Sequence, residues 1–209
     1  MHISITVIII IITVVVTFVA NSKPDLYAKL LFNPYQVVHR KEWYRLLRHG
    51  FIHSRNNIFH IIFNMYVLYS FSLVETEYKM HWPKIGLLLY VVLYFGGMVF
   101  ATLPALKKHK DDYLYNAVGA SGAVSAVLFA FIALHPFEGG IGILFIPISF
   151  PPLVFGAIYL AIEWWMDKKG SGNIAHDAHF YGSIFGLLFT FLAIPGSFPR
   201  FIQQILSLF

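Results

Sequence analysis

The sequence predicts an all-α membrane protein, a bundle of six transmembrane helices with a long folded first loop. Three observations carry that expectation. The chain of 209 residues is 58% hydrophobic and 18% aromatic but only 12% charged. That is about half the charge of a soluble domain, and the mean hydropathy is +0.69. Six segments each approach the roughly 20 mainly apolar residues that a spanning helix needs. The single long connection, Asn21–Asn57, is rich in aromatic and basic residues. That composition suits a structure folded at the membrane interface, because unstructured loops of such length are uncommon.

The first span, residues 3–20, carries no charge. It lacks a basic leader, and bulky Phe18 would sit at position −3 of a cut after Ala20, so it reads as a retained helix and not a signal peptide. The second span is expected at 58–74, the third at 85–106 and the fourth at 117–136. The fifth lies within Gly139–Ile162, where Pro147, Pro151 and Pro152 delay the helix to 152–166. The sixth is expected at 178–195. The tail 201–209, "FIQQILSLF", has Gln203, Gln204 and Ser207 on one side and reads as a short interfacial helix. Neither an internal repeat nor a low-complexity linker divides the chain, so residues 1–209 read as a single domain.

The absence of cysteine excludes disulfides, a thiol nucleophile and cysteine-ligated metal. A net charge of +5 and a pI near 9.3 fit contact with the lipid bilayer. No basic stripe with stacking aromatics appears, so nucleic acid is not an expected partner.

Polar groups inside a span are costly, and each demands an account. The second span carries His60 and Asn64, four apart and therefore on one helix face. Both side chains can donate hydrogen bonds, although an isolated pair of this kind more often fastens neighbouring helices. The fourth carries Ser121 within "GASG". Small-xxx-small patterns usually serve close helix packing. This serine, however, falls near the start of its helix, where free N–H groups and the positive dipole end stabilise negative charge. Gly119 and Gly122 beside it permit close approach of backbone and substrate. The sixth span opens with "HDAHFYGSIFG". His179 is a natural general base near neutral pH, and Gly182 and Gly186 at i+3 and i+7 offer a smooth face on which the fourth helix can pack. His176 reads as an interfacial ring or an outer partner of the site. Asp177 points to a different helix face and is not cast as an acid partner of His179. Nucleophile, base and donor pair together are the parts of an acyl-transfer site.

The motifs "EWYRLL" with its Trp43-x-Arg45 feature, "GFIHSRNNIFHIIFNM", "GASG" and "AHFYG" occur in this order over nearly the whole chain. In this the sequence resembles a rhomboid intramembrane serine protease. The resemblance implies a six-helix bundle that cleaves other membrane proteins in or near their spans. It implies Ser121 as nucleophile and His179 as base of a Ser-His dyad. His60 and Asn64 become side-chain oxyanion donors, joined by the Ser121 N–H, while Gly119, Gly122 and Gly182 shape the site. Substrates would be single-pass helices with small residues at the cut and helix-weakening residues nearby. No metal or organic cofactor is implied. One position departs from the pattern. Some members have a tyrosine four residues after the serine that packs on the base, and here that position is Ser125, so another residue must orient His179.

Orientation draws two opposed expectations. Of the 15 lysines and arginines, 12 fall in Asn21–Asn57, Lys107–Asp112 and Asp167–Asn173, which by the positive-inside rule places the serine end in the cytoplasm. The resemblance places it outside and both termini inside, in the cell membrane, and a folded membrane-embedded loop need not obey a rule for simple connectors. Two rivals to a protease remain. A rhomboid-like chaperone or degradation adaptor would bind helices without cutting them, and would lack the dyad. A transporter or channel would want ionisable residues in several spans.

Overall fold

The computed structural model describes residues 4–143, 146–169 and 175–208. A helix stands in each of the six expected segments, and the differences lie at their ends. Helix α1 (Ile5–Asn21) is capped by Ser4, whose hydroxyl accepts from the Val7 N–H; the expected first residue, Ile3, lies outside the described residues. The Glu75 carboxylate accepts the Ile5 and Thr6 N–H groups at 2.8 and 2.9 Å, which sets a negative charge on the positive end of α1.

The first loop is folded, as expected. It contains α2 (Pro24–Leu30), α3 (Pro34–Arg40), α4 (Arg45–Arg48) and a 3₁₀ turn at His49–Phe51. Proline opens both α2 and α3, where its missing N–H costs nothing. Buried Arg45 fastens the loop. Its Nη1 donates to the carbonyls of Ala28 and Leu31 at 2.9 and 2.7 Å, and its Nε donates to Glu42 Oε2 at 2.6 Å. Hydrogen bonds from Tyr44 and then Arg45 hold the Glu42 carboxyl below its ordinary range.

The second segment runs further than its apolar stretch. Helix α5 (Ile58–Ser70) breaks briefly and continues as α6 (Leu73–His81). Charges at Glu75, Glu77 and Lys79 end the hydropathy signal near residue 74, yet buried Val74 and Tyr78 carry the helix on. Helix α7 (Gly86–Lys108) follows. Helix α8 (Ser121–Leu134) starts four residues after the expected 117. Ala117 is held extended by a two-way backbone pairing with Phe32 of the first loop, at 3.0 and 2.9 Å.

The all-α expectation needs one correction. β1 (Ile141–Ile143) and β2 (Ile146–Phe150) form an antiparallel hairpin with Ile141 opposite Phe150. Pro147 excludes a helix here, and the isoleucine-rich segment has strand composition. Helix α9 (Pro152–Lys169) begins at the expected proline and continues past 166, so Asp167–Lys169 are helical as well. Residues 170–174 lie outside the described residues. Helix α10 (His176–Ala193) turns at Gly196, whose φ of +77° suits glycine, into α11 (Ser197–Leu206). Phe209, the last residue of the expected tail, is not described.

By length and composition, 58–81 and 86–108 are long and apolar enough to cross a membrane. Helices α10 and α11 meet the same test only as a pair bent by 110°, and α1 and α8 are shorter apolar helices. Ile8, Ile11, Ile12, Val15, Phe18 and Val19 of α1 are exposed. An apolar surface of this kind belongs against hydrocarbon, and the chain is an integral membrane protein.

Helix α8 lies at the centre, buried on all sides through Ala123, Ala126, Val127, Ala130 and Ala133. Its contact with α10 is backbone against backbone. A Cβ on Gly182 would overlap the Gly122 carbonyl, and one on Gly186 would overlap the Ala126 carbonyl. The glycine face expected of the sixth span is therefore the face that receives the fourth.

Candidate active site

The α8–α10 contact sets the first turns of the two helices side by side. A Cβ on Gly122 would lie 3.3 Å from the Ala178 carbonyl oxygen. Ser121 precedes the first of these residues and His179 follows the second. Ser121 is the first residue of α8, so its amide and that of Gly122 are free of intrahelical partners. Its hydroxyl forms no hydrogen bond among the described residues.

The approach to Ser121 is shaped by Gly119, at φ +114°. A Cβ there would lie 2.8 Å from Cε1 and Nε2 of His60, so only glycine lets the strand pass the imidazole. His60 thus stands against the "GASG" entry. Asn64 is turned back on its own helix, its Nδ2 donating to the His60 carbonyl at 2.8 Å. The structure brings His60, Gly119, Ser121, Gly122, His179 and Gly182 together; Asn64 lies one turn below His60.

His53 holds the same entry from behind. The Ala120 N–H donates to His53 Nε2 at 3.4 Å, while Nδ1 faces the Thr17 hydroxyl at 3.4 Å. This arrangement requires a neutral ring with its proton on Nδ1. Burial pushes the His53 imidazole down to about 3, with lesser repulsion from His60 and His49. Burial also pushes His49 down to about 4. The unfolded chain binds protons at these rings below about pH 6.5 while the folded one does not, so stability falls with pH from there down. Each ring contributes up to ~1.4 kcal/mol per pH unit. Melting temperature in detergent is expected to drop between pH 6.5 and 4.5, above the ordinary carboxylate range. A flat profile over that window would show that these rings are not buried neutral groups.

Two residues that sequence reasoning missed complete the site. Glu163, 7% exposed in α9, sets Oε1 3.0 Å from His179 Nδ1 and Oε2 2.6 Å from His176 Nδ1. Tyr159, one turn earlier, lays its ring nearly parallel to that of His179, centroids 6.4 Å apart and planes 24° apart. The Tyr159 hydroxyl meets the Ser125 hydroxyl at 2.9 Å. The ring absent at position 125 is thus supplied from α9, and Ser125 anchors it. His176 is an outer partner of the site, as one of its two readings expected. The signal for Glu163 was a carboxylate inside "AIYLAIEWW", sharing a helix face with Tyr159. Ligating atoms of Glu163, His176 and His179 lie within 4.8 Å of one another, a spacing a metal could use, but the two Nδ1 atoms are already engaged by the carboxylate.

A cavity of about 30 Å³ opens beside Ser121, with Thr102, Tyr115 and Asp177 among its polar lining. It has room for water.

The family model described as "Rhomboid domain" matches residues 40–196. RHOMBOID-like protein 12, mitochondrial, of Arabidopsis thaliana is 30% identical over 141 residues, covering 62% of this chain and 41% of that protein. The chain thus matches about two fifths of that relative's length. A match that takes in the first-loop arginine, the "GASG" turn and the α10 histidine, over three quarters of the sequence, places the chain in the rhomboid family.

Proposed function

We propose that this protein is an intramembrane serine endopeptidase, one domain of six spans that cleaves single-pass membrane helices through Ser121 and His179. The supporting observation is the placement of Ser121 at the open N-terminus of α8, directly across the glycine contact from the His179 turn of α10. Rhomboid relatives are generally serine proteases, and both residues of the pattern are present here.

A substrate helix enters laterally and unwinds locally, because a helical peptide bond is shielded. His179 takes the Ser121 proton as Oγ attacks the carbonyl carbon. The oxyanion is met by the Ser121 N–H and by His60, with Asn64 joining if its amide turns from the His60 carbonyl. The leaving amine departs with the proton from His179. Water, for which the cavity beside Ser121 has room, then hydrolyses the acyl-enzyme. A catalytically inactive chaperone or adaptor is the competing reading. The test incubates purified protein in detergent with a model single-pass substrate and, separately, with a fluorophosphonate. Cleavage, with the label found on Ser121 by mass spectrometry, is expected. Binding of the helix without cleavage or label would establish the competing reading.

The active site is proposed to open to the extracytoplasmic side of the cell membrane. The opposing tally counts arginines that are built into a folded first loop and are not those of a simple connector. Arg45 is spent on Ala28, Leu31 and Glu42, and Arg55 donates to the Ala20 carbonyl at 2.9 Å while resting on the Tyr27 ring. Single cysteines at Lys110 and Lys84, in this cysteine-free background, are to be probed in intact cells with an impermeant maleimide. Labelling at 110 with protection at 84 is expected, and the reverse pattern would overturn the orientation.

A further inference from the structure

We propose that Glu163 is a positioning residue that turns the Ser-His pair into a Ser121–His179–Glu163 triad, with His176 holding the carboxylate in place. The inference rests on the protease reading above. A carboxylate within a spanning helix is costly and persists only with partners or a task. Glu163 has both of its oxygens engaged, one by each imidazole, at 3.0 and 2.6 Å. An ionised carboxylate only accepts hydrogen bonds, so each Nδ1 must carry a proton. For His179 this fixes the tautomer and leaves the Nε2 lone pair as the base. The ring is restrained a second time by the near-parallel face of Tyr159, one turn from Glu163 on the same helix.

The consequence for the reaction is specific. As the Ser121 Oγ–carbon bond forms, the carbonyl π pair moves to the oxyanion and the Oγ proton passes to His179 Nε2. The imidazolium then faces the Glu163 carboxylate through its Nδ1–H. Glu163 stays ionised throughout and takes no proton. A purely structural Glu163 would need only one histidine. Here His176 supplies the fixed partner from the same turn of α10, and the other oxygen is aimed at the base.

The variant Glu163→Gln keeps size and one accepting oxygen but removes the charge. With a model single-pass substrate in detergent micelles, kcat is expected to fall roughly 100- to 10,000-fold, the range up to that seen when a triad acid loses its charge. KM and melting temperature should stay near wild type, and fluorophosphonate labelling of Ser121 should slow in parallel with kcat. His176→Gln, which leaves the His179 bond intact, should lose less than Glu163→Gln does. Wild-type kcat in Glu163→Gln, or a loss that vanishes when kcat is expressed per folded protein, overturns the triad while the protease reading stands. A wild type that neither cleaves nor labels overturns both.

Discussion

Replacing Ser121 with alanine is expected to abolish cleavage of a single-pass substrate while the protein melts as wild type does. The structure separates the two effects. The Ser121 hydroxyl makes no hydrogen bond among the described residues, and alanine is a good helix former, so the first turn of α8 loses nothing it depends on. What is lost is the hydroxyl proposed as the nucleophile. Removing the nucleophile of a serine protease costs on the order of 10⁶ in kcat, which in a micellar assay is indistinguishable from no enzyme. Cleavage by gel, fluorophosphonate labelling and melting temperature are to be read on one preparation. Undiminished cleavage by the variant would remove Ser121 from the chemistry. Loss of cleavage with a collapsed melting temperature would make it a packing residue.

The candidate site was legible where its chemistry coincides with backbone geometry. Glycines at 182 and 186 recur on one helix face, and a close helix contact is what such spacing permits; the sixth and fourth helices do meet there. The substitution at Ser125 was visible as a gap in a pattern, but its remedy was not. Tyr159 replaces the missing ring from a different helix, and no local signal ties position 159 to position 125. Glu163 was masked by its neighbours. It sits near the end of the expected 152–166 helix, where the apolar run passes into "WWMDKK", and its burial comes from the histidines of α10, a contact no local pattern shows. Element ends failed for tertiary reasons. Pairing of Ala117 with Phe32 delays α8, and short apolar runs such as 141–150 do not separate strand from helix by periodicity alone.

The same geometry bears on the choice between an active protease and an inert relative. A protein that only binds helices has no need of an oriented imidazole. Here His179 is held by a carboxylate at 3.0 Å and faced by an aromatic ring. His53 and Gly119 fix the strand that delivers the serine. Such an investment in one side-chain orientation favours the protease reading proposed above.

Gly182→Ala is expected to cost both stability and activity, and the two opposing contributions can be weighed. Alanine in a helix interior is favoured over glycine by about 1 kcal/mol. Against this, the new Cβ would fall on the Gly122 carbonyl oxygen, 2.9 Å from its carbon and 3.0 Å from Cα. All of these are backbone atoms that no rotamer change can move aside. The helices must separate, and overpacking a tight interior typically costs 1–3 kcal/mol. The steric cost outweighs the propensity gain, so the melting temperature should fall. Activity should fall further. Gly122 follows Ser121 directly, and a displacement near 1 Å at reacting groups costs on the order of 100-fold. Gly186→Ala provides the control. Its Cβ would overlap the Ala126 carbonyl one turn deeper, which predicts a comparable loss of melting temperature with a smaller loss of kcat. The pair is to be compared by thermal shift and by kcat per folded protein. Equal kcat losses in the two variants would mean that the glycine contact supports the bundle without setting the distance between Ser121 and His179. A Gly182→Ala protein with wild-type melting and turnover would show that α8 and α10 do not meet backbone to backbone at that turn.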